Sequence, residues 1–117
     1  MRHALSIAIL LAALVVVGNG VAATKVTILN GTVGPEDTIT LTNAGHHVSA
    51  LKAGAYAIVI KDVANDHDFH LVGPGVNKTT SVGGTGSVTW HVTLKKGTYR
   101  YVCDPHANFM KGSFTVR

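Results

Sequence analysis

Thr98-Tyr99-Arg100-Tyr101-Val102-Cys103-Asp104-Pro105-His106-Ala107-Asn108-Phe109-Met110-Lys111-Gly112-Ser113-Phe114-Thr115-Val116 almost closes the chain and decides its class. The opening residues alternate. Thr98, Arg100 and Val102 fall on one face of an extended strand, and Tyr99, Tyr101 and Cys103 fall on the other. Residues 104–110 contain Pro and Asn and read as a loop, and 112–116 alternate again as a return strand. A loop between two adjacent strand ends can curl over one point in space. Cys103, His106 and Met110 can therefore converge.

The same texture runs back to residue 25. Segments 25–30, 38–42, 55–60, 69–72 and 87–94 are alternating or β-branched. Asn30-Gly31, Gly34-Pro35-Glu36-Asp37, Asn43-Ala44-Gly45, Gly73-Pro74-Gly75 and Gly83-Gly84-Thr85-Gly86 read as turns between them. Lys95-Lys96-Gly97 reads as a hairpin turn. No window has the 3.6-residue apolar period of an amphipathic helix. Short strands with turns at regular intervals predict one all-β domain, an antiparallel sandwich or barrel.

The start of the chain is different in kind. Met1-Arg2-His3 is basic, 4–17 is apolar, and Val21-Ala22-Ala23 ends in small residues. That is the pattern of a signal peptide at 1–23, cleaved before a domain at 24–117. The apolar run is shorter than the roughly 20 residues that a bilayer span needs, so no stable membrane insertion is expected after cleavage. The protein is then periplasmic or extracellular. Small exported domains often hold themselves together with disulfides, yet Cys103 is the only cysteine. An unpaired thiol in an exported protein points to a reactive group, an intermolecular partner or a metal ligand.

Charge says less. The formal net charge is +4, with ten Lys and Arg against six Asp and Glu. The cations are scattered, only Lys95 and Lys96 are adjacent, and no aromatic platform accompanies them. No nucleic-acid partner is expected. A monomer is the default for so small a domain.

Cys103, His106 and Met110 supply a thiol, an imidazole and a thioether within one loop. These are the soft and borderline donors that suit copper. With one more histidine they make the two-histidine, one-thiolate, one-weak-methionine set of a blue-copper centre. The second histidine must come from elsewhere in the fold. His67 stands just before the strand 69–72 and can supply it. His70, three residues on, competes for the same place.

At these residues the chain resembles the cupredoxins, the fold of plastocyanin, azurin, pseudoazurin and amicyanin, which implies an antiparallel Greek-key β-sandwich. Tyr101-Val102-Cys103-Asp104-Pro105-His106, then Met110, then Gly112-Ser113-Phe114-Thr115-Val116 is similar to the family's ligand loop and final strand. His67-Asp68-Phe69-His70-Leu71 is similar to its upstream His-Asn-aromatic motif. The resemblance implies one copper ion held by His67, Cys103, His106 and Met110, with no catalytic residue. It favours His67 over His70 and leaves His70 as a sheet histidine. The backbone carbonyl of Asp66 sits where some members approach the metal weakly.

The resemblance implies an electron carrier rather than an enzyme. Redox partners would meet it transiently near His106, whose neighbours Pro105, Ala107 and Phe109 are apolar. A copper carrier or buffer would use the same ligands. A third reading pairs Cys103 with His106 as a nucleophile, with Asp104 or Asp68 orienting the imidazole. One departure stands out. Asp68 occupies the family's Asn position, has no amide donor, and brings a second carboxylate near Asp104. Two carboxylates beside a thiolate repel unless one is protonated or paired with a base.

Overall fold

A computed structural model describes residues 14–16, 18–20 and 25–117. The expected leader at 1–23 lies largely outside the described residues, and so does its cleavage point. No helix among the described residues is long and apolar enough to cross a membrane.

Among the described residues, ten strands form two five-stranded sheets. The first sheet holds β1 (Thr27–Val33), β2 (Ile39–Asn43), β3 (His46–His47), β5 (Gly54–Asp62) and β8 (Gly86–Leu94), in the order β3-β2-β1-β5-β8. The second holds β4 (Ala50–Leu51), β6 (His70–Gly73), β7 (Val76–Thr79), β9 (Gly97–Val102) and β10 (Lys111–Val116), in the order β4-β10-β9-β6-β7. The core lies between them. Leu29, Leu41, Ile58, Ile60, Leu71 and Leu94 are fully buried there, and Tyr101 and Phe114 nearly so.

The sandwich read from the sequence is therefore present, with two refinements. Most pairs are antiparallel, but β1 runs parallel to β5 and β10 parallel to β4. The chain visits the other sheet at β4 before β5 returns beside β1, and that crossing reverses the expected direction. The Lys95-Lys96-Gly97 turn is no hairpin. It carries the chain from β8 in one sheet to β9 in the other.

Tyr99 fixes that crossover. Its buried hydroxyl accepts a hydrogen bond from Lys95 N–H at 2.9 Å and faces the carbonyls of Lys95 at 2.9 Å and Pro74 at 3.2 Å. Its ring stacks on Phe114 at 5.2 Å between centroids. Tyr99→Phe keeps the ring and removes the shared hydroxyl. We expect a stability loss of about 1–2 kcal/mol, seen as a lower urea midpoint with unchanged slope. An unchanged midpoint would show that water replaces the hydroxyl at no cost.

Candidate metal centre

Cys103 follows directly on β9, and local geometry folds the next residues over it. Asp104–His106 form a single 3-10 turn with Pro105 near its start. In such a turn residues three apart lie one above the other, so His106 returns over Cys103. His106 N–H donates to the Cys103 carbonyl at 3.0 Å, and Met110 N–H donates to the His106 carbonyl at 2.9 Å. The loop closes where Cys103 N–H donates to the Met110 carbonyl at 3.0 Å. Met110 is 1% exposed and part of the core cluster.

His67 comes from the segment between β5 and β6. Thr80 clamps the end of that segment. Its hydroxyl accepts from Phe69 N–H at 2.9 Å, and its own N–H donates to the Phe69 carbonyl at 3.1 Å. Gly34, with φ +77°, passes close to the imidazole. An added Cβ there would lie 3.2 Å from His67 Cδ2 and 2.9 Å from Ala64 Cβ. Only glycine takes this backbone conformation freely and leaves room for the ring.

These elements bring His67, Cys103 and His106 together, with one donor atom from each within 4.8 Å of the others. The two Nδ1 atoms are 3.1 Å apart, and each lies 3.6 Å from Cys103 Sγ. The point equidistant from the three atoms is about 2.0 Å from each, which is the length of a metal–imidazole bond. His67 and Cys103 are completely buried, whereas His106 reaches the surface.

The tautomer suits a cation as well. His67 Nε2 is buried and has no hydrogen-bond partner among the described residues. It faces the carboxylates of Asp37 at 3.7 Å and Asp66 at 3.8 Å. Those charges favour a proton on Nε2, which leaves the Nδ1 lone pair turned to the other donors. Two imidazole nitrogens and a thiol converging in a buried spot fit a soft or borderline metal ion such as copper.

Burial raises the Cys103 thiol pKa. Backbone N–H groups of Asp68 and His106 pull it down, and the Asp68 carboxylate pushes it up, so the net shift is upward. The metal-free thiol is thus protonated at neutral pH, and metal uptake must release that proton.

His70 is not among the converging donors. It sits on β6, paired in register with Val102. Its Nδ1 lies 2.9 Å from Asp104 Oδ2, and its Nε2 lies 2.6 Å from Asn77 Oδ1. Acceptors at both ring nitrogens favour the protonated ring. Burial lowers its pKa, but Asp104 and Asn77 outweigh that and the net shift is upward. Burial likewise raises Asp104, and the bonds to His70 and Asp68 reverse it to a net lowering. Asp68 is 2% exposed. Burial and the neighbouring Asp104 raise its pKa, although its Oδ1 accepts from Asp104 N–H at 2.6 Å and its Oδ2 from the Thr79 hydroxyl at 3.2 Å. Of the two carboxylates foreseen beside the thiolate, Asp68 acts on Cys103, and Asp104 is paired with the base His70.

These contacts also weigh against the nucleophile reading. Asp104 is engaged by His70, and Asp68 by Asp104 N–H and Thr79. Neither carboxylate hydrogen-bonds to His106 among the described residues.

The His70–Asp104 pair makes stability depend on pH. The raised histidine pKa stabilises the fold fully below its ordinary value of 6.5 and loses that effect as pH rises through the folded value. The lowered Asp104 contributes above its ordinary 3.8 and fades as pH falls. His70→Gln should therefore be less stable than wild type mainly between those two values. The gap should stay below about 1 kcal/mol, because Asp104 is half exposed and solvent screens it. Urea unfolding of the metal-free proteins at pH 5 and pH 9 checks this. A gap that widens at pH 9 contradicts it.

Reasoning from the sequence missed Asp37, Asn77, Thr79 and Thr80. All four reach the site through pairings distant in the chain, and none belongs to a local motif.

Comparison with known proteins agrees with this geometry. A family model described as copper binding proteins of the plastocyanin/azurin family matches residues 17–117. No curated protein sequence matches the chain. Similar solved structures include rusticyanin from Thiobacillus ferrooxidans, with 17% identity, a TM-score of 0.53 and coverage of 77% of this chain and 76% of that one. Auracyanin A from Chloroflexus aurantiacus, described as a blue copper protein, gives 18% identity and a TM-score of 0.52 over 80% of this chain and all of that one. Auracyanin from Roseiflexus castenholzii gives 18% and 0.52, over 78% of this chain and 97% of that one. At these identities the likeness speaks for the fold.

Proposed function

Because the chain belongs to the plastocyanin/azurin family of copper-binding proteins, we propose that it is an exported carrier of single electrons, with residues 24–117 as its working domain. The observation behind this reading is the convergence of His67 Nδ1, Cys103 Sγ and His106 Nδ1 in a buried spot that opens to solvent only at His106. Met110, buried and tied through its backbone to Cys103, would be the fourth and weakest donor. Bound by these side chains, copper would supply a one-electron couple between Cu(II) and Cu(I).

The chain's own part is to hold the donors still and keep water away. The sandwich fixes Cys103 and His67, and the closed 104–110 loop fixes His106. The imidazole edge of His106 is the route for the electron. Pro105, Ala107 and Phe109 around it are exposed, with Phe109 59% exposed and its ring 5.6 Å from that of His106. A small apolar rim suits a brief contact with a redox partner. No substrate is transformed in this scheme. A copper-delivery role uses the same donors, but the complete burial of His67 and Cys103 favours retention over handover.

The test is addition of one equivalent of Cu(II) to the purified protein. Intense visible absorption, bleached by ascorbate and restored on reoxidation, is the expected result. A colourless protein, or one that gives up its copper to a weak chelator at once, overturns the carrier reading.

Asp68 bears on the potential. Its buried carboxylate acts on Cys103 directly, and negative charge there favours Cu(II). Asp68→Asn keeps an oxygen to accept from Asp104 N–H. We expect its reduction potential to rise, on the order of 50 mV, about a tenfold change in the redox equilibrium. The difference should shrink as pH falls through the raised Asp68 pKa. Voltammetry showing an equal or lower potential in the variant refutes it.

A further inference from the structure

On the far side of Thr79 and Thr80 from the metal donors, the sandwich is open between its edge strands β7 and β8. A cavity of about 260 Å³ lies there. Asp62 from the end of β5, Trp90 and Ser87 from β8, and Thr80, Ser81 and Thr85 from the connection between β7 and β8 line it. Asp62 is 4% exposed. Its Oδ1 accepts from Ala64 N–H at 3.1 Å, but its Oδ2 is buried without a hydrogen-bond partner among the described residues. Burial raises the carboxyl pKa. Among the described residues, no Lys, Arg or His lines the cavity. A buried carboxylate oxygen with nothing to bond to is costly, and such a group asks for a donor that the chain does not provide.

We infer that this cavity binds a small primary alkylammonium ion, whose charge is met by Asp62, whose remaining N–H groups meet Ser and Thr hydroxyl oxygens, and whose alkyl part lies against Trp90 and Val88. The lining decides between ligand classes. An ammonium group has three donors and no acceptor, which matches one carboxylate among hydroxyl oxygens. An indole wall also attracts an organic cation. A sugar would leave the Asp62 charge uncompensated. A bare calcium ion needs six to eight oxygens, and one carboxylate in a space of this size is a poor cage.

Trp90 is the only tryptophan in the chain, so all indole emission comes from a wall of this cavity. The purified protein would be titrated with butylamine hydrochloride, and with glucose and calcium chloride at matched ionic strength. A saturable change in Trp90 emission with butylamine is expected. In Asp62→Asn, which keeps the acceptor for Ala64 N–H, the apparent Kd should weaken about tenfold or more, with unchanged far-UV circular dichroism. Amide NMR shifts of the wild type on butylamine addition should centre on residues 79–88, and this mapping decides the matter if Asp62→Asn does not fold. The inference is overturned by an unsaturable response, by equal affinity in the variant, by a response to glucose or calcium alone, or by shifts centred on residues 103–110. None of these outcomes depends on whether the metal centre is a blue-copper site.

Discussion

Cys103→Ala should remain folded, bind Cu(II) more than about 100-fold more weakly, and show none of the intense visible absorption expected of wild type. Losing even an outer partner of a metal ligand costs roughly 10–100-fold in affinity, and in this variant a donor atom itself is lost. The two histidines remain 3.1 Å apart, so weak binding survives, but the thiolate that gives such centres their colour does not. The metal-free fold should change little, because a buried thiol behaves as a small apolar side chain. What disappears is the stabilisation that a tightly bound ion adds to the native state. Adding copper should raise the Tm of wild type and leave that of the variant where it was. Protons report the same event. Burial holds the wild-type thiol protonated, so copper uptake releases a proton and strengthens as pH rises, and the variant loses that release. A variant with the wild-type absorption would remove Cys103 from the centre and sink the electron-carrier reading with it.

The parts of this centre differ in how far the sequence alone reveals them. The 104–110 loop is readable because its logic is local. A strand ends, a proline turns the chain, and donors three and seven residues beyond Cys103 come back over it. His67 needed the family resemblance, since its distance to Cys103 depends on how two sheets meet. The partnership of His70 with Asp104 was out of reach. It exists because β6 and β9 pair with His70 opposite Val102, a register that nothing in either segment states. Strand content followed the same rule. Alternating segments became strands, whereas β7 was missed because Val76-Asn77-Lys78-Thr79 is a polar edge strand with three of its four residues exposed.

Asn30-Gly31 is the instructive failure. The pair is a strong hairpin signal, yet both residues lie inside β1, with Gly31 opposite Leu41 on one side and Ile60 on the other. Glycine is there for space rather than for a turn. An added Cβ would come within 2.6 Å of Ile60 Cδ1 and 3.0 Å of Phe69 Cε2. The demand originates in a ring far along the chain, so a reading of neighbouring residues assigns the glycine to the wrong cause.

Phe69 is accordingly the side chain whose loss should cost the most stability. It is completely buried, stacks on Tyr101 at 5.5 Å and meets Trp90 edge-on at 6.3 Å. Its backbone is clamped by Thr80, two residues from His67. Phe69→Ala should cost about 3–5 kcal/mol, a large share of the roughly 5–15 kcal/mol that holds a domain of this size. The metal-free Tm should fall on the order of 20 °C, and copper affinity should weaken because His67 loses its support. Gly31→Ala overpacks the same place and should cost about 1–3 kcal/mol alone. The two changes share one space, so they should not add. With the ring gone, Ile60 can swing into the vacated volume and admit the new methyl group. The double variant should then be more stable than the sum of the singles predicts, by about 0.5–3 kcal/mol. Urea unfolding of the four metal-free proteins measures this directly. Strict additivity would mean that Gly31 answers to something other than Phe69, and the steric reason for a glycine in the middle of β1 would fall.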